Sequence, residues 1–458
     1  MKYSVRAIDL FERDVHLRLP FRFGVVTLTD APQAFARARI RLEDGREAEG
    51  AAAELLAPKW FDKNPALSNE QNFDQLRLSL ALARVAYLAG GANSAFGHFR
   101  AHYQPHMAQA AGKGLNALVA NFGPALIDRA LLDALCRALD ISFYQAMKGN
   151  VLRMESSGTE PELGIPAFLQ TVQPRSEIAA RHTVGLVDPI ASTEQRVHDG
   201  LPETLAEVVT RYGHRWFKLK VSGDPGADIE RLAAIASVLD RLPDYAVSLD
   251  GNEQYENVEG VLELWRRMQR DARLRRLVDA IAFIEQPIRR QAALAADVSV
   301  LSGDKPVIID ESDDTLDAFP RAKGLGYRGV SSKTCKGIYK SIINAARCKR
   351  WGPQYFMTGE DLTIQAGLAL QQDLALVSLL GLAHVERNGH HYVNGMAGLP
   401  HAEQEAFLRA HPDLYERSHG AVRLRITKGQ LAIGSLDCRG YASGAMPDWN
   451  QMREMQTR

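Results

Sequence analysis

Five short apolar runs in this chain end in residues able to do acid–base or metal chemistry. WFKLKV carries Lys218 and Lys220, AVSLDGN carries Asp250 and Asn252, IAFIEQP carries Glu285, PVIIDES carries Asp310 and Glu311, and GVSSK ends in Lys333. Runs of this length followed by longer helical stretches read as buried parallel strands, and the C-terminal ends of such strands converge. Asp250, Glu285 and Asp310 then share a small volume, each about one strand–helix unit from the next. Three ionised carboxylates placed together repel one another and call for a cation; an all-oxygen set suits Mg²⁺ or Mn²⁺. Lys218 and Lys220 alternate with Phe217, Leu219 and Val221, so both face one side of their strand. A lysine near a dication and other cations has a lowered pKa and can act as a general base. Lys333 closes the sixth run, across a barrel from the second. Asp310 and Glu311 are neighbours, so alternation turns only one of them to a metal.

These residues need a scaffold. From about residue 180 the texture is strand then helix, with eight apolar runs: HTVGLVD, WFKLKV, AVSLD, IAFIE, PVIID, GVSSK, QYFMTG and LAHVE. That rhythm predicts an α/β fold, a TIM-type (β/α) barrel over residues 175–400. An open doubly wound sheet is the alternative, and the lack of a Gly-rich turn after the first strand weighs against it. Residues 1–160 predict an α+β domain, strands first. FARARIRL alternates before the turn signal Asp44-Gly45, and PFRFGVVTLTDAP reads as a loop between the first two strands. PALIDRALLDALCRALDISFYQAM predicts a helix with Pro124 in its first turn. Gly158 to Pro174 reads as a linker. Residues 401–458 return to the first domain: AVRLRITKGQLAIG predicts a hairpin around Lys428-Gly429, and the last dozen residues a tail.

Composition sets limits. Of 458 residues 46% are hydrophobic and 24% charged, and Lys+Arg and Asp+Glu are 55 each. A net charge of zero supplies no general field for nucleic acid or anionic membrane. Cys136, Cys335, Cys348 and Cys438 show no CxxC spacing and read as free thiols. No apolar N-terminal segment reads as a signal peptide and no run is long enough for a membrane span. We expect a cytoplasmic homo-oligomer that takes a small carboxylate substrate and binds neither nucleic acid nor membrane.

The chain resembles the enolase superfamily. The resemblance is carried by KLK in FKLKVSGD, the series D-G-N, E-Q-P and D-E-S, the lysine of SSK one unit later, and ALIDRALLDALCRALDISFYQAMKG, which looks like that family's cap helix. The pattern is closest to the muconate lactonizing enzyme subgroup. It implies a (β/α)7β variant of the barrel beneath a capping domain built from the N-terminal part and the C-terminal segment. It also implies Mg²⁺ on Asp250, Glu285 and Asp310, which selects Asp310 over Glu311. Lys220 and Lys333 become the acid/base pair on opposite substrate faces, Lys218 a neutraliser of enolate charge, and Asn252 a support for the ligands. The implied chemistry is abstraction of the proton α to a carboxylate through an enediolate, leading to epimerisation or racemisation, cycloisomerisation or dehydration, the work of an isomerase or lyase. The mandelate racemase pattern wants a histidine after the seventh run, where YFMTGEDL offers Thr358, Glu360 and Asp361 instead.

Other residues receive lesser expectations. Arg22, Phe23 and Trp60 are cap candidates for substrate selection. Glu386, after LAHVE, holds a substrate polar group or pairs inside the barrel. Lys336 reads as a loop residue, His390 and His391 as a surface pair, and Cys335 as no nucleophile. Two rivals stand beside the main reading: a metal-independent barrel hydrolase of glycosidase type, using two carboxylates, and a non-catalytic barrel that binds an acid metabolite.

Overall fold

The computed structural model describes residues 1–24, 26–155, 160–362, 364–388 and 391–456. The chain begins as a three-stranded antiparallel meander, β1 (Tyr3–Phe23), β2 (Val26–Leu42) and β3 (Glu47–Leu55). PFRFGVVTLTDAP is therefore no loop. It forms the ends of β1 and β2, with Phe21 opposite Leu28 and Phe23 opposite Val26. Those four side chains are buried, so the ribbon has an apolar face of its own. Two helices pack on the sheet, α1 (Asn69–Ala89) and α3 (Ala117–Leu139), and α2 (Ala95–Gly112) packs against both of them. Gly50 allows β3 to approach α3, because a Cβ there would stand 2.1 Å from the Ala134 backbone nitrogen.

Pro124 lies inside α3 rather than in its first turn. A mid-helix proline removes the N–H that should reach the carbonyl four residues back. Here that carbonyl, Ala120 O, accepts from Ser79 Oγ at 2.8 Å and is bonded by His106 Nε2 at 2.7 Å. Neighbouring helices thus supply the missing donor. We expect Ser79→Ala or His106→Leu alone to lower stability by about 1 kcal/mol, and the pair, which orphans the carbonyl, by more than the sum of the two. Urea unfolding checks this; strictly additive losses would contradict it. After α3 the chain turns through left-handed Asp140 into a separate helix, α4 (Phe143–Lys148). The expected linker contains α5 (Ile165–Thr171), whose Ile165 and Leu169 join the core; Gly158 lies outside the described residues.

Eight parallel strands follow: β4 (Glu177–Val184), β5 (Trp216–Lys220), β6 (Ala246–Asp250), β7 (Ile281–Glu285), β8 (Val307–Ile309), β9 (Gly329–Ser332), β10 (Phe356–Gly359) and β11 (His384–Glu386). They pair in sequence order and β11 closes on β4, making a complete barrel. The first strand begins five residues before the HTVGLVD run. One apolar core joins the cap to the helices behind β10 and β11; a second fills the space around β5 to β8.

At the C-terminus, β12 (Tyr415–Ser418) pairs with β13 (Ala421–Leu424), β14 (Gln430–Ala432) adds antiparallel to β4, and β15 (Arg453–Glu454) adds to β1. Lys428 and Gly429 form a tight turn with positive φ at both residues, and Thr427 and Gln430 exchange both backbone bonds across it. The strands it joins nevertheless pair elsewhere: one with β12, the other with the barrel instead of the cap. Nor is the terminus a free tail, since Arg453 bonds Glu12 and Asp14. Among the described residues no helix is long and apolar enough to cross a membrane.

Candidate active site

Strand register assembles the charged residues. Lys220 stands beside Asp250, and Asp250 beside Glu285, across three successive strands. Asp310 follows β8, Lys333 follows β9, Glu360 follows β10, and Glu386 ends β11. β5 and β9 are four strands apart in a closed ring of eight, so Lys220 and Lys333 rise from opposite walls.

Lys218 occupies the centre. Its Nζ lies 2.9 Å from Asp250, 2.8 Å from Glu285, 2.8 Å from Glu360 and 3.0 Å from Glu386. Burial works to lower its pKa, but the four carboxylates outweigh burial and hold it well above the ordinary lysine value. Lys220 pairs with Asp250 at 2.5 Å, and Lys333 with Asp310 at 2.5 Å. The Lys333 pKa is raised: burial opposes, and Asp310 prevails. The lowered pKa expected from sequence belongs to a lysine beside a dication, whereas the neighbours that act on Lys333 here are carboxylates. Asp250 and Asp310 are lowered in return, their burial outweighed by the neighbouring lysines. Glu285 moves the other way, pushed well up by burial and by Asp250 and Glu360.

Asp310 and Glu311, both fully buried, diverge. Asp310 turns to Lys333, Lys336 and Ser331. Glu311 turns to the cap, where Lys63 lies 3.4 Å away, and accepts from Asn252 Nδ2 at 3.2 Å. The Asn252 backbone N–H also donates to Asp250 at 2.8 Å. Lys336 is no loop bystander: it is buried and reaches both Asp310 and Asp313. Thr358 donates to Glu360 at 2.7 Å. Glu386 both pairs with Lys218 and lines the cavity above it.

The cap contributes unevenly. Trp60 lies over Lys333, its ring centroid 4.3 Å from Nζ. Arg22 is exposed, because the register of β1 turns Phe21 and Phe23 inward and the residue between them out. His391 is buried rather than a surface residue; His390 lies outside the described residues. Cys335 is buried, and burial pushes its thiol pKa up.

Several positions had no role assigned from sequence. Gln286, in the left-handed region at φ 32°, accepts from the backbone N–H groups of Asp310 and Ser312 at 2.8 and 3.1 Å, fixing the loop that carries both acids. Arg290 grips Glu253 with two nitrogens and donates to the carbonyls of Trp60 and Phe61, tying the cap segment to the barrel. Arg181 pairs with Glu360 beneath Lys218. The only sequence signals were a polar residue after a strand end and an arginine in a loop.

Among the described residues no three His, Cys, Asp or Glu side chains converge closely enough to hold a metal ion as they stand, since the carboxylates turn to lysines. The donor chemistry nonetheless fits a hard divalent cation. Asp250, Glu285 and Asp310 are fully buried oxygen donors on adjacent strand ends, and the Lys218 ammonium already sits as a positive charge between the first two. Glu311 Oε2 and Asn252 Oδ1 are buried oxygens without a hydrogen-bond partner.

Residues 201–425 match the family model described as enolase C-terminal domain-like. No curated protein matches the sequence. Among solved structures, the chain is similar to an enolase from Bradyrhizobium complexed with magnesium and mandelic acid (15% identity, 98% of each chain, TM-score 0.61). It is also similar to 2-chloromuconate cycloisomerase from Rhodococcus opacus 1CP (17% identity, 98% of each chain, TM-score 0.60). A third is a dipeptide epimerase from Enterococcus faecalis V583 complexed with Mg and L-Leu-L-Tyr (15% identity, 96% of this chain and 99% of that one, TM-score 0.60). Residues 201–425 thus carry the enolase C-terminal domain-like match, and the whole chain shares the fold of these solved structures.

Proposed function

We propose that this protein is an isomerase or lyase that removes the proton α to the carboxylate of a small acid. The observation that carries this reading is the placement of Lys220 and Lys333 on opposite barrel walls, both lining one cavity with Asn252 and Glu386. Asp250, Glu285 and Asp310 would hold Mg²⁺ or Mn²⁺, with Asn252 orienting Asp250. When bound, the cation would supply Lewis acidity toward the substrate carboxylate and draw the acids off the lysines. One lysine, as the free amine, takes the α-proton at its Nζ. The other, as the ammonium, gives a proton to the opposite face, which is racemisation or epimerisation; cycloisomerisation and dehydration need only one of them. Lys218 stays protonated and carries positive charge toward the developing anion. The three enzyme neighbours act on or bind carboxylic acids by their names, which supports the substrate class.

α-Proton exchange in D₂O, followed by NMR across a panel of carboxylic acids with Mg²⁺, tests the proposal. Removing the metal with EDTA should slow exchange by about 10³-fold, the rate equivalent of several kcal/mol of charge stabilisation. Activity undiminished after complete metal removal would favour a hydrolase using carboxylates alone, a reading that leaves both lysines without a task.

A further inference from the structure

The cavity under the cap is divided by chemistry. Its floor, from the barrel, is Lys218, Lys220, Asn252, Lys333, Asp361 and Glu386; its apolar roof is Phe21, Phe23, Leu28, Ala57 and Trp60 of the cap, joined by Leu362 from the loop after β10. Each of the two facing lysines has one aromatic ring of the cap against it. Lys220 Nζ is 5.8 Å from the Phe21 centroid and Lys333 Nζ is 4.3 Å from that of Trp60. We infer that the acid this site takes is a monocarboxylate whose substituent is apolar and flat, held between Phe21 and Trp60. This deepens the proposed function and rests on its placement of the substrate carboxylate at the floor.

Three observations select that class. First, every cation lining the cavity belongs to the floor. Lys63, a cap lysine close by, is engaged by Glu253, Glu311 and the Asn252 carbonyl, and Arg22 is exposed. A second carboxylate directed at the roof would meet no positive charge among the described residues that line it. Secondly, the roof offers carbon where a polyhydroxy acid needs donors and acceptors. Each hydroxyl left unpaired there weakens binding by about tenfold. Thirdly, the cavity measures about 30 Å³, room for about two waters. The floor is fixed by ion pairs, so a substituent gains space by displacing roof side chains, and apart from the Trp60 indole N–H these return apolar packing.

Calorimetric titration of the full chain with Mg²⁺, using benzoate, succinate and gluconate as probes, tests the inference. Benzoate is flat and apolar and has no α-proton, so its binding is read without turnover. It should bind at least about tenfold more tightly than succinate or gluconate. Phe21→Leu and Trp60→Leu, which keep apolar bulk but remove the flat ring, should each erase most of that preference. The wild-type ranking stands as the decisive measurement if either variant misfolds. Succinate or gluconate level with or ahead of benzoate, or benzoate failing to bind, overturns the inference. Preferred benzoate with no α-proton exchange in any apolar acid would sink the catalytic reading alone and leave the pocket's assignment in place.

Discussion

Lys220→Ala and Lys333→Ala should each slow α-proton transfer on the face that lysine serves by about 10²–10⁴-fold, the usual contribution of a positioned acid or base. Both chains should remain folded. Asp250, deprived of Lys220, keeps Lys218 at 2.9 Å; Asp310, deprived of Lys333, keeps Lys336 at 3.3 Å. Neither substitution strands a buried carboxylate, so a fall in rate reports chemistry and not collapse. Opposite placement sharpens the expectation for a chiral acid. One variant should retain solvent exchange for one enantiomer, the other variant for its mirror image, and neither should interconvert the two. Arginine should not rescue either position, because a guanidinium does not release its proton near neutral pH. NMR of each enantiomer in D₂O decides it. Wild-type exchange in both variants would remove the lysines from the mechanism.

The scaffold was legible where one physical signal dominated. Buried strands of four to six residues bounded by acids or lysines are hard to mistake, and the register that places Lys220, Asp250 and Glu285 side by side follows from strands ending at the same barrel rim. What stayed hidden depends on backbone geometry or on distance along the chain. The β1–β2 pairing shifts register between His16 and Phe21, yet Phe21 and Phe23 stay on the inward face that Val15 begins and Arg22 stays outside. PFRFGVVTLTDAP reads as a loop from its mix of aromatic and small residues, yet Phe21, Phe23, Val26 and Leu28 had enough apolar surface to continue the ribbon. Pro124 could be placed mid-helix only with knowledge of Ser79 and His106, which come from other helices. Gln286 acts through a left-handed backbone that no side-chain pattern announces. The sequence shows that the acids and lysines meet, but not which lysine pairs with which acid.

Lys218 is where that pairing has the largest energetic consequence. Lys218→Met, close in size but uncharged, should destabilise the fold by about 3–5 kcal/mol, the cost of removing one partner from a buried ion cluster. The burden is uneven. Glu360 keeps Arg181, Asp250 keeps Lys220, and Glu386 keeps the Thr183 hydroxyl. Among the described residues, Lys218 is the cation paired with Glu285. Glu285 is already raised well above its ordinary 4.5 by burial and by Asp250 and Glu360, and without the ammonium it should rise further and take up a proton. The sign of the pH dependence follows. A carboxyl whose folded pKa exceeds its unfolded one binds more protons in the folded state, so its contribution is present at low pH and is lost as pH rises through the folded value. Relative to wild type, Lys218→Met should therefore lose further stability as pH rises through the wild-type folded value of Glu285, which lies well above the ordinary 4.5, because below it Glu285 is protonated in both folded proteins. Adding Glu285→Gln should flatten that slope, because the group that titrates is gone. Urea unfolding from pH 4 to 8 measures both effects. A single variant within about 1 kcal/mol of wild type across that range would show that the four carboxylates do not depend on this ammonium, and the charge balance at the barrel's centre would have to be assigned to Lys220, Lys333 and Arg181 instead.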